Sequence, residues 1–224
     1  MVLPRNTTVD ADELQLRVDF HEETVLVHDF AAGIAGGVRT KAVSALDIAH
    51  ALARELDLAT GILPPDTLWW AQSGSGTRVA VWRPPQLTAL RVRESYDAKP
   101  RRRHLPMPGL VFVCLPDRQA PYVFAARERP RTPADQLFHC PTFNVFRSGR
   151  VCVGTHVFPI DPAAVPLAFF DSHFSVTGDT AAGKSHRHPE NVGKLWDEIE
   201  GHREYPLDDL VPQLTVTDAM GIGE

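Results

Sequence analysis

Three stretches of this 224-residue chain hold residue types whose spacing could do chemistry. The richest runs from His139 to Gly154. In it Cys152 ends a short apolar step, after the Ser148-Gly149 turn and eight residues beyond Asn144. A surface thiolate with an amide held nearby is what acyl transfer through a thioester requires. Arg150 and His156, close by in sequence, would favour the thiolate. Cys140 follows His139 and precedes Pro141 in a segment without regular pattern, so it is expected to be partly exposed and is the weaker candidate. Cys114 closes the apolar run Leu110-Val111-Phe112-Val113-Cys114 and reads as a packed core thiol. Three cysteines do not make a disulfide framework in a chain of this length, so all are expected to be reduced.

The second stretch, Gly178 to Ser185, satisfies the P-loop pattern of glycine, four residues, then Gly183-Lys184-Ser185, whose backbone amides would wrap a phosphate. Such a loop needs a buried strand before it and a helix straight after it. Here only Phe174-Ser175-Val176 precedes, and Pro189 arrives four residues after Ser185, so the stretch reads as a glycine-rich flexible insertion. In the third, His186-Arg187-His188 with Asp197 partly resembles the zinc site of JAB-type isopeptidases. The serine expected between the second histidine and the acid is missing, and a polar loop is the default reading. Neither a metal nor a cofactor is expected.

The elements that must position these residues come from the hydrophobic pattern. Leu14 to Phe30 alternates around the turn His21-Glu22-Glu23-Thr24, as a β-hairpin does. Past the glycines of 33–37, Ser44 is placed to cap a helix through Leu58, with Leu46, Ile48, Ala49, Ala51, Leu52 and Leu56 on its apolar side. Thr67 to Ala71 and Arg78 to Trp82 form a second hairpin; Leu87 to Val92, Leu110 to Cys114 and Tyr122 to Ala125 continue as strands. Their connections are too short for crossover helices, which predicts an antiparallel meander. An irregular proline-rich segment with Pro130, Pro133 and Pro141 leads into the cysteine stretch. Pro162 to Phe174 is partly helical, and Pro189 to His202 is a helix with Val192, Leu195, Trp196 and Ile199 on one face. The fold class is therefore α+β, an antiparallel meander flanked by helices. It divides into a hairpin-helix extension over 1–60, the main domain over 61–204 and a loosely ordered tail over 205–224.

The net charge of −5 offers nucleic acid no electrostatic footing. The one basic run, Lys99 with Arg101, Arg102 and Arg103, is interrupted by Pro100 and followed by Pro106, and reads as a solvated loop. No apolar stretch approaches the roughly 20 residues of a membrane helix and Met1 to Asp10 is no signal segment, so a cytoplasmic location is expected.

The run Asn144-Val145-Phe146-Arg147-Ser148-Gly149-Arg150-Val151-Cys152 resembles the active-site segment of ubiquitin-conjugating E2 enzymes. There the asparagine of a His-Pro-Asn motif precedes the acceptor cysteine by eight residues, across a turn ending in glycine and a branched apolar residue. His139 and Pro141 lie further upstream than that motif places its histidine and proline. Together with Pro106-Met107-Pro108-Gly109-Leu110-Val111-Phe112-Val113, the segment resembles prokaryotic E2-like family D, the PRTRC system B proteins, over about Leu63 to Asn191. Phe170-Asp171-Ser172-His173-Phe174 fits that family's Phe-x-Ser-x-Phe segment, with Ser175 to Arg187 inserted before His188-Pro189.

The resemblance implies an E2-like fold and a Cys152 thioester with a ubiquitin-like protein, received from an E1 or ThiF-like adenylating enzyme. Asn144 would orient the loop or donate to the oxyanion, and His188 or His173 would act as base. A JAB-type peptidase would be a partner from the same operon, and no cofactor is involved. Two other classes stay open: a catalytically inactive E2-fold scaffold for the same partners, and a cysteine hydrolase. Trp69, Trp70 and Trp82 discriminate, being core if buried and a partner surface if exposed.

Overall fold

The computed structural model describes residues 16–22, 24–30, 38–55, 62–73, 76–93, 99–115, 120–175 and 178–222. They fall into two compact units, Met1–Gly61 and Ile62–Glu224. In the first, strands β1 (Leu16–Phe20) and β2 (Val25–Asp29) pair antiparallel around the polar turn that the alternation predicts. A third strand, β3 (Arg39–Val43), pairs with β2. Its sequence, Arg-Thr-Lys-Ala-Val, has no apolar alternation, and its residues are largely exposed, so pattern reading passes over it. Helix α1 (Ala45–Glu55) starts at a capping box in which Asp47 N–H donates to Ser44 Oγ at 3.0 Å and Ser44 N–H to Asp47 Oδ2 at 3.3 Å. Leu56, Leu58 and Leu14 lie outside the described residues.

The second unit is an α+β domain around a six-stranded antiparallel sheet. Its strands are β4 (Thr67–Ser73), β5 (Gly76–Arg83), β8 (Gly109–Cys114), β9 (Tyr122–Ala126), β10 (Gln136–His139) and β12 (Pro212–Thr215), in the order β12-β10-β9-β8-β5-β4. A smaller sheet holds β6 (Gln86–Arg93) between β7 (Arg101–Met107) and the parallel strand β11 (His173–Ser175).

The central strand β8 is buried on both faces, which is why it reads as a continuous apolar run. Leu110, Phe112 and Cys114 join one core with Leu90, Val92, Leu105, Phe169, Phe174, Leu195 and Trp196. Val111 and Val113 join the other, with Trp69, Trp82, Phe124, Leu137, Val216 and Ala219. Trp69 and Trp82 are therefore core, while Trp70 is half-buried. The chain turns into β8 at Gly109, where any Cβ would lie 1.9 Å from the Trp82 ring, so only glycine fits.

Helix α2 (Val165–Asp171) tolerates Pro166 because it sits in the first turn, where no amide is needed. Helix α4 (Val192–Ile199) buries Val192, Leu195, Trp196 and Ile199 as its 3.6-residue spacing requires. It starts later than Pro189 suggests: Asn191 is the N-cap, its side chain accepting from Gly193 N–H at 2.8 Å.

Three expectations are corrected. The basic run is not a solvated loop, because Arg101–Met107 is β7, an edge strand that can hold Pro106. Arg103 in it is 3% exposed, its guanidinium meeting Asp197 on α4 at 2.8 Å and Glu200, the C-cap of that helix, at 3.0 Å. The proline-rich segment is not irregular throughout, since Gln136–His139 forms β10 between β9 and β12. Nor are the described residues beyond Tyr205, which end at Ile222, loose. A 3-10 turn (Leu207–Asp209) leads into β12, and helix α5 (Val216–Met220) follows through a Thr215–Asp218 capping box. Tyr205, Leu210, Val216 and Ala219 are all buried, which holds the segment down. Among the described residues no helix is long and apolar enough to cross a membrane.

Candidate functional site

The cysteine stretch is a tight β-hairpin built on the rim of the large sheet. Val145 and Val151 form an antiparallel bridge, Phe146 N–H donates to Arg150 O at 2.8 Å, and Gly149 N–H to Phe146 O at 2.9 Å. The turn closes because Gly149 takes φ +89°, with its α-carbon against the Phe124 ring. Val123 N–H donates to Gly149 O at 2.8 Å and Val151 N–H to Pro121 O at 2.9 Å, which ties the hairpin to the start of β9. At its open end Cys152 N–H donates to Asn144 O at 2.7 Å.

The three thiols differ in setting. Cys152 is exposed, as are the side chains of Val153 and Val157. Cys114 is buried, and burial, with a smaller contribution from Asp161, pushes its thiol up to about 12. Cys140 is also buried, correcting the partial exposure expected from its irregular context. Its Sγ lies 3.4 Å from Thr142 Oγ1, and desolvation pushes it up to about 11. At neutral pH both buried groups are thiols, so only Cys152 is open to an incoming electrophile.

Asn144 is 6% exposed. Its Nδ2 donates to Ser172 Oγ at 3.0 Å, and Ser172 Oγ donates in turn to Phe169 O at 2.7 Å. Because the serine spends its one proton on Phe169, it can only accept from Asn144, and this fixes the orientation of the amide. Among the described residues, the buried Asn144 Oδ1 has no hydrogen-bond partner. Ser172 belongs to the Phe-x-Ser-x-Phe segment, whose serine was legible as part of a motif but not as the support of Asn144.

The loop before the hairpin is braced from the α4 side. Trp196 Nε1 donates to Pro141 O at 2.8 Å, and the Phe143 and Trp196 rings meet edge-on at 4.4 Å. Lys184, the lysine of the P-loop-like stretch, is fully buried and its Nζ donates to the carbonyls of Thr142 and Val145. Burial pulls its pKa down to about 8. No phosphate loop exists here: helix α3 (Gly178–Ala181) is a single turn, and Ser185 Oγ donates to Asp209 Oδ1 at 3.0 Å.

His188 Nε2 meets Glu198 Oε1 at 2.6 Å while its amide donates to Ser185 Oγ. His186 N–H donates to Asp209 O, and His173 is exposed on β11 opposite Arg91. Among the described residues no hydrogen bond or ion pair joins His173, His186 or His188 to Cys152. Asp197, the third member of the zinc-like set, is paired with Arg103. No three described His, Cys, Asp or Glu side chains gather closely enough to hold a metal.

An exposed thiol at the open end of a hairpin, beside a buried asparagine, is chemically able to act as a nucleophile toward an acyl group. No curated protein and no solved structure matches the chain. Residues 44–213 match the model of prokaryotic E2 family D, and the chain belongs to that family.

Proposed function

We propose that this protein is an E2-type conjugating enzyme. Cys152 thiolate attacks the thioester carbonyl that joins a ubiquitin-like C-terminus to an E1 or ThiF-like enzyme; a new S–C bond forms, the old one breaks, and the donor thiolate leaves. An amine then attacks the Cys152 thioester, loses its proton, and the Cys152 thiolate departs. Exchange of one thioester for another is nearly balanced in energy, so the protein must mainly orient the reactants.

The observation that carries this reading is the exposure of Cys152 in hairpin register with Asn144, in a member of prokaryotic E2 family D whose other two cysteines are buried. Asn144 acts chiefly by holding the loop, since its amide already serves Ser172. His188, oriented by Glu198, is assigned to take the acceptor's proton. A JAB-type peptidase that processes the ubiquitin-like partner completes the expected set, and the reaction is placed in the cytoplasm.

The test mixes the protein with its adenylating enzyme, ATP and the ubiquitin-like protein, and resolves the products on non-reducing gels. The wild type should give an adduct that reductant removes, Cys152→Ala none, and Cys152→Ser an ester that survives reductant. An adduct that persists in Cys152→Ala, or no adduct with the wild type, overturns the assignment.

A further inference from the structure

Lys184 is 0% exposed, in a segment that the chemistry proposed above does not use. Burying an ammonium is costly unless it is hydrogen-bonded, and a methionine would fill the same volume without that cost. The charge is spent on two main-chain carbonyls, Thr142 O and Val145 O. These bracket Asn144, whose own carbonyl takes the Cys152 amide at 2.7 Å. Thr142 belongs to no strand, and the Val145–Val151 bridge is closed by the hydrogen bonds of Phe146 and Cys152 rather than by Val145 O, so without Lys184 the two carbonyls would be left in the interior with no ladder to satisfy them.

The lysine is itself held in place. Gly183, at φ +74°, donates its amide to Pro189 O at 2.7 Å and packs against the Arg147 guanidinium of the hairpin turn. On the other side Ser185 Oγ bonds Asp209, and it accepts the His188 amide at 2.9 Å. One short segment thus fixes both the Asn144 loop and the backbone of His188. Even as a neutral amine Lys184 keeps two N–H donors, one for each carbonyl.

We propose that Lys184 is a positioning residue that clamps the 142–145 backbone and so sets the Asn144–Cys152 pairing at the reactive thiol. The inference rests on the conjugating role of Cys152 for its meaning in transfer, but the clamp can be measured without any partner.

The experiment compares Lys184→Met with Val216→Ala, a core truncation in the cluster on the other face of the large sheet, under conditions that give both the same fraction of global unfolding. Hydrogen exchange of the Cys152 amide should be about tenfold or more faster in Lys184→Met than in Val216→Ala, the scale of losing hydrogen bonds to a charged donor. In transfer from the charged adenylating enzyme, Lys184→Met should lower kcat by a similar factor with KM unchanged, whereas Val216→Ala should leave both near wild type. If Lys184→Met does not fold, Lys184→Gln, whose shorter amide cannot reach both carbonyls, takes its place against the same control. Equal exchange of the Cys152 amide in the lysine variant and the control overturns the clamp. A wild type that never takes up the ubiquitin-like protein sinks the transfer reading alone, because the exchange comparison still decides what Lys184 holds.

Discussion

The amide of Cys152 donates to the carbonyl of Asn144 at 2.7 Å, so the residues that bracket the eight-residue motif face each other across a hairpin. The spacing then follows from geometry. Val145 bridges Val151, Phe146 bonds Arg150, and Gly149 closes the turn, which leaves Asn144 and Cys152 opposed one step further down the ladder. One more or one fewer residue would break this register and turn the thiol to the other side of the hairpin.

Gly149 is the position on which that register depends. At φ +89° it occupies backbone space unfavourable to other residues, and a Cβ would lie 2.4 Å from the Phe124 ring. Gly149→Ala is expected to cost about 3 kcal/mol, combining left-handed strain with overpacking. Gly154→Ala provides the contrast: it also has positive φ, at +52°, but nothing lies within 4 Å of its Cβ position. Its cost should be about 1 kcal/mol, from strain alone. Urea denaturation of the two variants gives both numbers, and equal losses would show that the Phe124 contact is irrelevant.

What could be read from the sequence was what repeats or alternates. The meander strands, the Ser44 cap, the buried face of α4 and the exposed Cys152 each have a local signature, and each stands in the structure. The errors fall where partners distant in sequence decide. Arg103 sits among arginines and prolines, and only the carboxylates of Asp197 and Glu200, nearly a hundred residues away, make its burial possible. Strands β10 and β12 are four residues each, too short to show a period, and they stabilise each other across the sheet. One signal was there to be used: Thr215-Val216-Thr217-Asp218 has the form of a capping box and marks the start of α5. Lys184 had a motif that pointed the wrong way, because a buried lysine with carbonyl partners is identical in sequence to one that waits for phosphate.

Arg103 ties the small sheet to α4 and makes a second test. Its side chain is 4% exposed, whereas Asp197 and Glu200 are 66% and 38% exposed. Truncating the arginine removes buried stem packing as well as the ion pairs, so Arg103→Ala should lose about 2 kcal/mol. Asp197→Ala should lose less than about 1 kcal/mol, because solvent already screens that carboxylate. Thermal or urea unfolding of the two variants separates them. An Arg103→Ala protein as stable as the wild type would mean that the arginine run behaves as a solvated surface after all.

His139 gives the fold a distinct pH dependence. It ends β10, is 8% exposed, and its buried Nδ1 has no partner among the described residues. Burial first, then the positive charges of Arg147 and Lys184, pull its pKa from 6.5 down to about 4. Between those values the unfolded chain holds a proton that the folded protein does not, so stability rises with pH across the window. The contribution is fully present above pH 6.5 and is lost as pH falls to about 4, with a limit of about 3 kcal/mol. Asp135 and Asp218, whose carboxylates are held low chiefly by the backbone amides of Arg131 and Thr215, act on the more acid side. Their share is present above the ordinary carboxylate pKa and disappears only as pH falls through their depressed values. Urea midpoints measured from pH 4.5 to 7 should therefore fall with acidification in the wild type and fall much less in His139→Leu. Parallel curves for the two proteins would place the acid sensitivity elsewhere.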